Sequence, residues 1–210
     1  MKAIVFDLNG VLIDSNKFNA DLFYKIFSEY GKDVGKKAAI HYLSNGGIPR
    51  KKRMEMYLKN FAKVEPNIYE IERVLKKFSQ LLEAGLKDIP IKTCVKDFLK
   101  NNYGKYIFFV SSGAIMQDVK KILEAKELLN FFEKIYGSPQ HKYEHLYDII
   151  NSYGIDKDDL IFFGDSIHDK NAADKVGVKF IAVRTNENDW QNYDNVIKNF
   201  CELVNYKFLR

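Results

Sequence analysis

Several polar side chains in this sequence stand directly after apolar runs, where the strands of a sheet would end. They are Asp7 and Asn9 after AIVF, Ser111, Ser112 and Gly113 after YIFFV, and Asp165 after LIFFG, with Asp169 one helical turn later and Lys142 between the last two runs. Parallel strands of an open sheet bring their carboxyl ends to one edge, where ligands bind. We therefore expect these side chains to meet in one site.

The residue types favour phosphoryl transfer with a bound Mg²⁺ ion. Carboxylates that converge, such as Asp7 and Asp165, repel one another unless a cation neutralises them, and an all-oxygen ligand set suits Mg²⁺ better than zinc. Hydroxyl and backbone N–H groups at residues 111–113, at the start of a helix, would cradle an anion, and Lys142 would add a positive charge. Alone, each residue would more often be a helix cap or a solvated charge, so the interpretation depends on the set.

The apolar pattern predicts the elements that would position these residues. Residues 3–8 read as a strand buried on both faces, residues 15–88 show only helical spacing, and strands return at YIFFV, LIFF and KFIAV. This alternation predicts an α/β fold with a parallel sheet between helices. We expect a core domain of residues 1–14 and 89–210 with an all-helical domain, residues 15–88, inserted into it. The C-terminal stretch NVIKNFCELVNYKF is predicted to be a packing helix on the spacing of Val196, Phe200, Leu203 and Val204.

Composition limits the class of protein. The chain has 46% hydrophobic and 29% charged residues, which predicts a globular protein, and it shows neither a membrane-spanning run nor a signal peptide. We expect a cytoplasmic protein, monomeric or homodimeric. Cys94 and Cys201, without metal-site spacing, are expected to be buried, reduced thiols.

A basic cluster, RKKR at residues 50–53, follows the turn residues Gly46, Gly47 and Pro49. The turn is expected to dip toward the site, where Arg50 would meet a second anionic group of a substrate. The alternative is that Arg50 points into water. The net charge of +5 comes largely from scattered lysines, so binding of nucleic acid is not expected.

The motifs FDLNGVLIDS, FVSSG, Lys142 in SPQHK, and FFGDSIHDKNAADKVGVKFIAV resemble those of the haloacid dehalogenase superfamily over nearly the whole chain. The resemblance implies a Rossmann-like core with a helical cap, here residues 15–88. It implies that Asp7 is the nucleophile that takes the phosphoryl group, and that Asp7, Asp165 and the backbone carbonyl of Asn9 hold Mg²⁺. It also implies that Ser111 and Lys142 bind phosphoryl oxygens, beside Ser112 and Gly113, while Asp169 supports the metal without binding it.

Position 9 departs from the family pattern, because phosphatases of the family carry there an Asp that protonates the leaving oxygen and then activates water. An amide does neither, which predicts retained binding and impaired turnover. Asn9 is either native in a weak or silent member, or a laboratory substitution, or part of an Asn-Gly pair that deamidates to Asp. The expected function is a phosphatase of a small phosphorylated metabolite, such as a sugar phosphate. The alternatives are a silent protein that binds a phosphorylated ligand, and a phosphomutase.

Overall fold

The computed structural model describes residues 2–188 and 190–205 and contains a parallel six-stranded sheet. The strands are β1 (Ala3–Phe6), β2 (Ile107–Ile115), β3 (Lys134–Ser138), β4 (Leu160–Gly164), β5 (Lys179–Val183) and β6 (Val196–Ile197). Their order is β3-β2-β1-β4-β5-β6, with every neighbouring pair parallel. This confirms the predicted Rossmann-like α/β class.

Strand register explains why the polar residues come together. Phe6 pairs with Val110 on one side and with Phe163 on the other, so Asp7, Ser111 and Gly164 follow at the same level of three adjacent strands. Asp7 N–H also donates to the carbonyl of Phe163 across 2.8 Å. The nucleophile predicted from the sequence therefore lies at the centre of the sheet's carboxyl edge.

The described part of the chain contains eight α-helices. They are α1 (Asn16–Phe27), α2 (Lys32–Ser44), α3 (Arg50–Tyr57), α4 (Ile68–Ala84), α5 (Val95–Asn102), α6 (Met116–Ala125), α7 (Lys142–Tyr153) and α8 (Ile167–Val176). None of the described helices is long and apolar enough to cross a membrane. Along β1, Ala3 and Val5 pack into the apolar cluster shared with α7 and α8, while Ile4 and Phe6 pack into the cluster on the other face. Both faces of the strand are thus covered, as its unbroken apolar run predicts.

Helices α1 to α4 form the all-helical insert between β1 and β2. The chain leaves and returns at one place, because Asp14 N–H donates to the carbonyl of Pro90 at 2.9 Å and Lys92 N–H donates to that of Leu12 at 3.0 Å. These two hydrogen bonds between the outgoing and returning chain support the proposed division at residues 14 and 89. Inside the insert, the rings of Tyr57 and Phe78 lie 5.5 and 4.9 Å from that of Phe23, which gives α1, α3 and α4 a shared aromatic centre.

The prediction of two reduced, buried thiols is wrong. Cys94 and Cys201 form a disulfide, with Cα atoms 5.3 Å apart although the two positions are 107 apart in sequence. Cys94 directly precedes α5, and Cys201 lies in a 3₁₀-helix over Phe200–Asn205. The rings of Phe98 and Phe200 pack at 5.2 Å beside the bond. Tertiary packing brings the cysteines together, and sequence spacing alone does not reveal it.

The prediction of one C-terminal packing helix is also wrong for the described residues. Val196 and Ile197 form β6 and pair with Ala182 and Val183 of β5, so they extend the sheet before the 3₁₀-helix begins. The side chain of Val204 and residues 206–208 of the predicted helix lie outside the described part of the chain.

Candidate active site

Three carboxylates and one lysine form the centre of the site. The carboxylates of Asp7, Asp165 and Asp169 place oxygen atoms within 4.8 Å of one another, and all three side chains are buried. Lys142, the first residue of α7, has its Nζ 3.0 Å from Oδ1 of Asp7 and also bonds Oδ1 of Asp169. The structure therefore brings together four residues that the sequence predicted to meet.

Ionisation of these groups depends on their burial and on one another. Burial raises the pKa of Asp7 to about 6, against the opposing charge of Lys142 and with the help of Asp169. Burial, followed by repulsion from Asp7 and Asp169, raises the pKa of Asp165 well above its ordinary value. Burial disfavours the charged form of Lys142, but the negative charges of Asp169 and Asp7 outweigh this effect and raise the pKa of Lys142. One lysine thus leaves the carboxylates under-neutralised, which suits a divalent cation.

The hydrogen bonds separate the carboxylates into two roles. Oδ2 of Asp169 accepts from the backbone N–H and the hydroxyl of Ser166, at 3.1 and 2.7 Å, and its other oxygen accepts from Lys142. Among the described residues no hydrogen bond reaches Oδ2 of Asp7 or Oδ1 of Asp165. The donor set therefore fits Mg²⁺, with Asp7 and Asp165 able to hold the ion and Asp169 holding Lys142 and the start of α8.

Gly10 makes the approach of the first loop to Asp165 possible. A Cβ atom at this position would lie 2.0 Å from Oδ2 of Asp165, and the φ of +78° favours glycine as well. The loop after β1 can therefore pass against the carboxylate only where no side chain intervenes.

Asn9 lines the cavity above the carboxylates with its amide oriented by two donors. Its Oδ1 accepts from the hydroxyl of Ser15 at 2.7 Å and from Nδ2 of Asn19 at 3.1 Å. Because these donors occupy the oxygen, the NH₂ group of Asn9 is the end left to interact with other groups.

The predicted anion cradle at residues 111–113 is only partly realised. Strand β2 continues to Ile115, with a register shift against β3 between Ser111 and Ile115, and α6 starts at Met116. The expectation that the cradle opens a helix is therefore wrong, because the irregular strand carries the chain further before the helix begins. Gly113 lines the cavity, whereas Ser111 and Ser112 do not belong to its wall.

The buried Ser111 hydroxyl instead meets His145, which sequence reasoning missed. Ser111 Oγ lies 2.9 Å from Nδ1 of His145. Burial, and next the charge of Lys142, lowers the pKa of His145 to about 4, so the imidazole is neutral near pH 7. The available signal was spacing, since Lys142 and His145 stand three residues apart on one face of α7.

The helical insert closes over the carboxylates and leaves a cavity of about 350 Å³. A Cβ atom on Gly47 would lie 2.6 Å from the hydroxyl oxygen of Ser166 and 2.7 Å from Cβ of His168. At Gly113 a Cβ atom would lie 3.5 Å from the carbonyl oxygens of Gly47 and Ile48. The predicted descent of the Gly46–Gly47 turn toward the site is confirmed by these contacts.

Two arginines of α3 line this cavity, both of them buried. Arg50 pairs with Asp118 of α6 and lies over the ring of Phe78, 4.2 Å from its centre. The alternative in which Arg50 points into water is therefore wrong. Arg53, which the sequence pattern does not distinguish within the RKKR cluster, donates to the carbonyl of Asn45 at 2.6 Å and to the hydroxyl of Tyr57 at 3.2 Å. Its spacing of three residues from Arg50 was the available signal.

Comparison with known proteins gives the family of the chain. The profile of the haloacid dehalogenase-like hydrolases matches residues 4–183. A curated relative, phosphoglycolate phosphatase of Photorhabdus laumondii, is 22% identical over 218 residues, which cover 97% of this chain and 91% of the relative.

Solved structures of low sequence identity share the fold. A predicted phosphoglycolate phosphatase from Haemophilus somnus has a TM-score of 0.74 at 21% identity, covering 100% of this chain and 98% of its own. CbbY from Rhodobacter sphaeroides, solved in complex with phosphate, has a TM-score of 0.76 at 16% identity, covering 97% and 96%. The family profile spans more than half of the chain, and the protein therefore belongs to the haloacid dehalogenase-like hydrolases.

Proposed function

We propose that this protein is a Mg²⁺-dependent phosphatase of a small phosphorylated metabolite that works through an aspartyl phosphate on Asp7. The proposal is carried by one observation: the buried Asp7 carboxylate, with Lys142 Nζ 3.0 Å from one oxygen and Asp165 beside it, opens into a cavity of about 350 Å³. Asp7 and Asp165 would hold Mg²⁺, joined by the backbone carbonyl of Asn9. The ion would neutralise these carboxylates together with the phosphoryl oxygens and so favour attack on phosphorus.

In the first step an oxygen of Asp7 bonds to phosphorus while the ester P–O bond breaks and the alcohol leaves. Asp7 must be ionised to attack, which a pKa of about 6 permits near neutral pH. Lys142, charged and bonded to both Asp7 and Asp169, holds the nucleophile in place and offsets the negative charge that gathers around the phosphoryl group. Gly113, which lines the cavity, is the proposed backbone contact of the phosphoryl oxygens. The Ser111 hydroxyl, bonded to His145 outside the cavity wall, would have to turn away from His145 to join it.

In the second step water attacks phosphorus, phosphate leaves, and the carboxylate of Asp7 is restored. Both steps need a proton moved, onto the leaving alcohol and then away from the water. Asn9 has the position for this task but not the acidity, because an amide donates a hydrogen bond without giving up its proton. We therefore propose slow turnover for the chain as it stands.

The small cavity beneath the insert favours a small substrate over a polymer. Residues of α1, α2 and α3 cover it from above, so a phosphoprotein or a nucleic acid would have to displace the insert. Since the relative from Photorhabdus laumondii is a phosphoglycolate phosphatase, phosphoglycolate is the first substrate to test, followed by sugar phosphates.

A second candidate function, a protein that binds a phosphorylated ligand without hydrolysing it, is favoured by the environment of Asn9. Ser15 and Asn19 both donate to its oxygen, which leaves the amide NH₂ to donate toward a phosphoryl or ester oxygen. Such a contact binds an ester without protonating its leaving group. The two functions differ in whether Asp7 ever becomes phosphorylated.

The test is to trap the phosphoryl group on Asp7. The protein is incubated with Mg²⁺ and an activated aryl phosphate, and the peptide containing Asp7 is weighed by mass spectrometry. We expect a phosphoryl adduct to accumulate, because the aryl leaving group needs little protonation while Asn9 does not activate water. Asp7→Asn is the matched control and should carry no adduct. If no adduct forms and no ester of a broad panel releases phosphate, the phosphatase is rejected in favour of the binding protein.

A cytoplasmic location and a monomer or homodimer remain proposals from the sequence. The Cys94–Cys201 disulfide weighs against a reducing compartment, where disulfides are rare. Counting free thiols in protein freshly extracted under alkylating conditions would decide between the two compartments.

A further inference from the structure

Two buried arginines on one face of α3 have different electrostatic surroundings. Arg50 is 7% exposed and pairs with the carboxylate of Asp118, which also accepts from the hydroxyl of Ser79 at 2.8 Å. Arg53 is 2% exposed, and its hydrogen bonds go to a carbonyl oxygen and a phenol hydroxyl. No carboxylate of the described residues lies within 4.0 Å of its guanidinium nitrogens. Arg50 is therefore neutralised within the protein, while Arg53 is not.

A buried charge without a counter-charge is costly, so its presence calls for an explanation. The ring of Tyr42, centred 4.9 Å from the Arg53 guanidinium, and the two oxygen acceptors offset part of the lost hydration. They supply no negative charge. The guanidinium remains a positive group held in place at the wall of the cavity.

The two imidazoles and the phenol described near Arg53 add no competing cation. Burial lowers the pKa of His168, and the charge of Arg53 lowers it further against the opposing effect of Asp169. Burial and the charge of Arg53 likewise lower the pKa of His41, which bonds the same Tyr57 hydroxyl as Arg53. Burial raises the pKa of Tyr42 to about 12, so the phenol stays neutral. The wall of the cavity thus carries the carboxylates of Asp7 and Asp165 and the unneutralised guanidinium of Arg53.

We propose that Arg53 binds a second anionic group of the substrate, a carboxylate or a phosphate, while the first phosphoryl group lies at Asp7. This assignment rests on the proposed function for the phosphoryl end alone. It names the substrate class as small phosphate esters with a negative charge at their far end. It also assigns to Arg53 the substrate contact that the sequence predicted for Arg50, because Arg50 is already paired with Asp118.

Direct binding tests the assignment without requiring turnover. Titration calorimetry on the Mg²⁺-loaded protein compares phosphoglycolate with 2-hydroxyethyl phosphate, in which a neutral CH₂OH replaces the carboxylate. We expect phosphoglycolate to bind about 10- to 100-fold more tightly, as a charge-assisted hydrogen bond predicts. The affinity of the bisphosphate of ethane-1,2-diol, compared with that of phosphoglycolate, shows whether a phosphate or a carboxylate is the preferred second group. Arg53→Met should abolish both preferences and leave the affinity for 2-hydroxyethyl phosphate unchanged.

Control variants distinguish this role from a structural one. Lys51→Met removes an exposed charge from the same helix and should keep the preference, and Arg53→Lys should keep part of it. The melting temperature of Arg53→Met without ligand should stay level or rise, since the variant removes an uncompensated buried charge. If Arg53→Met does not fold, Arg53→Gln takes its place in the same titration.

Two results would overturn the assignment: a preference for phosphoglycolate that survives in Arg53→Met, or equal loss of affinity for both esters. Phosphate release from the same esters, measured in parallel, keeps the two proposals apart. Selective binding that depends on Arg53, with no phosphorylated Asp7 from the activated aryl phosphate either, would reject the phosphatase and support the anion site. Turnover of both esters at equal rates, unaffected by Arg53→Met, would support the phosphatase and reject the anion site.

Discussion

The hydroxyl of Ser15 donates to the side-chain oxygen of Asn9 across 2.7 Å. Asn19, one turn further along α1, donates to the same oxygen at 3.1 Å. Both donors would serve one oxygen of an Asp carboxylate equally well, because Asn and Asp have the same shape. The site is thus already arranged to hold a carboxylate at position 9.

Asn9→Asp should therefore raise steady-state hydrolysis of a small alkyl phosphate by about 10²- to 10⁴-fold, the usual contribution of general acid–base catalysis. An aryl phosphate should gain less in its first step, because its leaving group needs little protonation. Phosphate release under saturating Mg²⁺ measures steady-state turnover, and release of the aryl alcohol in the first turnover measures the first step. Asp7→Asn in the restored protein is the control and should abolish turnover. Flat activity in Asn9→Asp across alkyl esters would contradict the assigned role of position 9.

Binding of Mg²⁺ should depend on pH through Asp7. The pKa of Asp7 is raised from 3.8 in the unfolded chain to about 6 in the fold, so the folded state holds more protons between these values. Stability without metal should therefore fall as pH rises through this window, and the raised pKa of Asp165 acts in the same direction.

Because Mg²⁺ needs ionised carboxylates, its stabilising effect should be small at pH 5 and larger at pH 8. At a concentration 100 times its Kd the ion should add about 2.7 kcal/mol to the free energy of unfolding. Melting curves with and without Mg²⁺ at the two pH values measure this. Asp165→Asn should remove the shift, and equal shifts at pH 5 and pH 8 would argue against Asp7 as a ligand.

Gly47→Ala should weaken ligand binding by holding the insert away from the core. The new Cβ would lie 2.6 Å from the hydroxyl oxygen of Ser166, so the turn could not close as it does now. Gly104→Ala is a matched control, since Gly104 has the same φ of +79° and nothing within 4 Å of a Cβ. Both variants should lose about 1–2 kcal/mol of stability from the left-handed backbone. Calorimetry with phosphoglycolate should show lost affinity for Gly47→Ala alone, and equal affinities would mean that closure does not matter for binding.

The sequence predicted the sheet and most of its polar edge because both depend on local patterns. Apolar runs marked β1, β2, β4 and β5, and the turn from strand to helix fixed where Asp7 and Asp165 would stand. The extension of β2 past Ser111 was not predictable in this way, because its register shift against β3 arises from pairing between distant segments.

Burial of Arg53 was equally hidden from sequence reasoning. Charged residues are mostly exposed, so a basic cluster reads as a solvated helix start. In the fold Lys51 and Lys52 are exposed, while Arg50 and Arg53 turn inward with Met54. Only the packing of α3 over the cavity distinguishes the two lysines from the two arginines. The disulfide between Cys94 and Cys201 was likewise not predictable, because the distance between the two cysteines depends on how the whole core packs.

The pair between Arg50 of α3 and Asp118 of α6 joins the insert to the core. Arg50→Met would leave the Asp118 carboxylate, 5% exposed, with the Ser79 hydroxyl and, among the described residues, no ion-pair partner within 4.0 Å. Removing one partner of a buried ion pair typically lowers the free energy of unfolding by about 3–5 kcal/mol, whereas replacing both by apolar groups is often neutral. We therefore expect a loss of this size for Arg50→Met and recovery of most of it in Arg50→Met/Asp118→Leu, measured by urea unfolding. A loss below about 1 kcal/mol, the value of an exposed pair, would mean that the insert opens and lets water solvate Asp118.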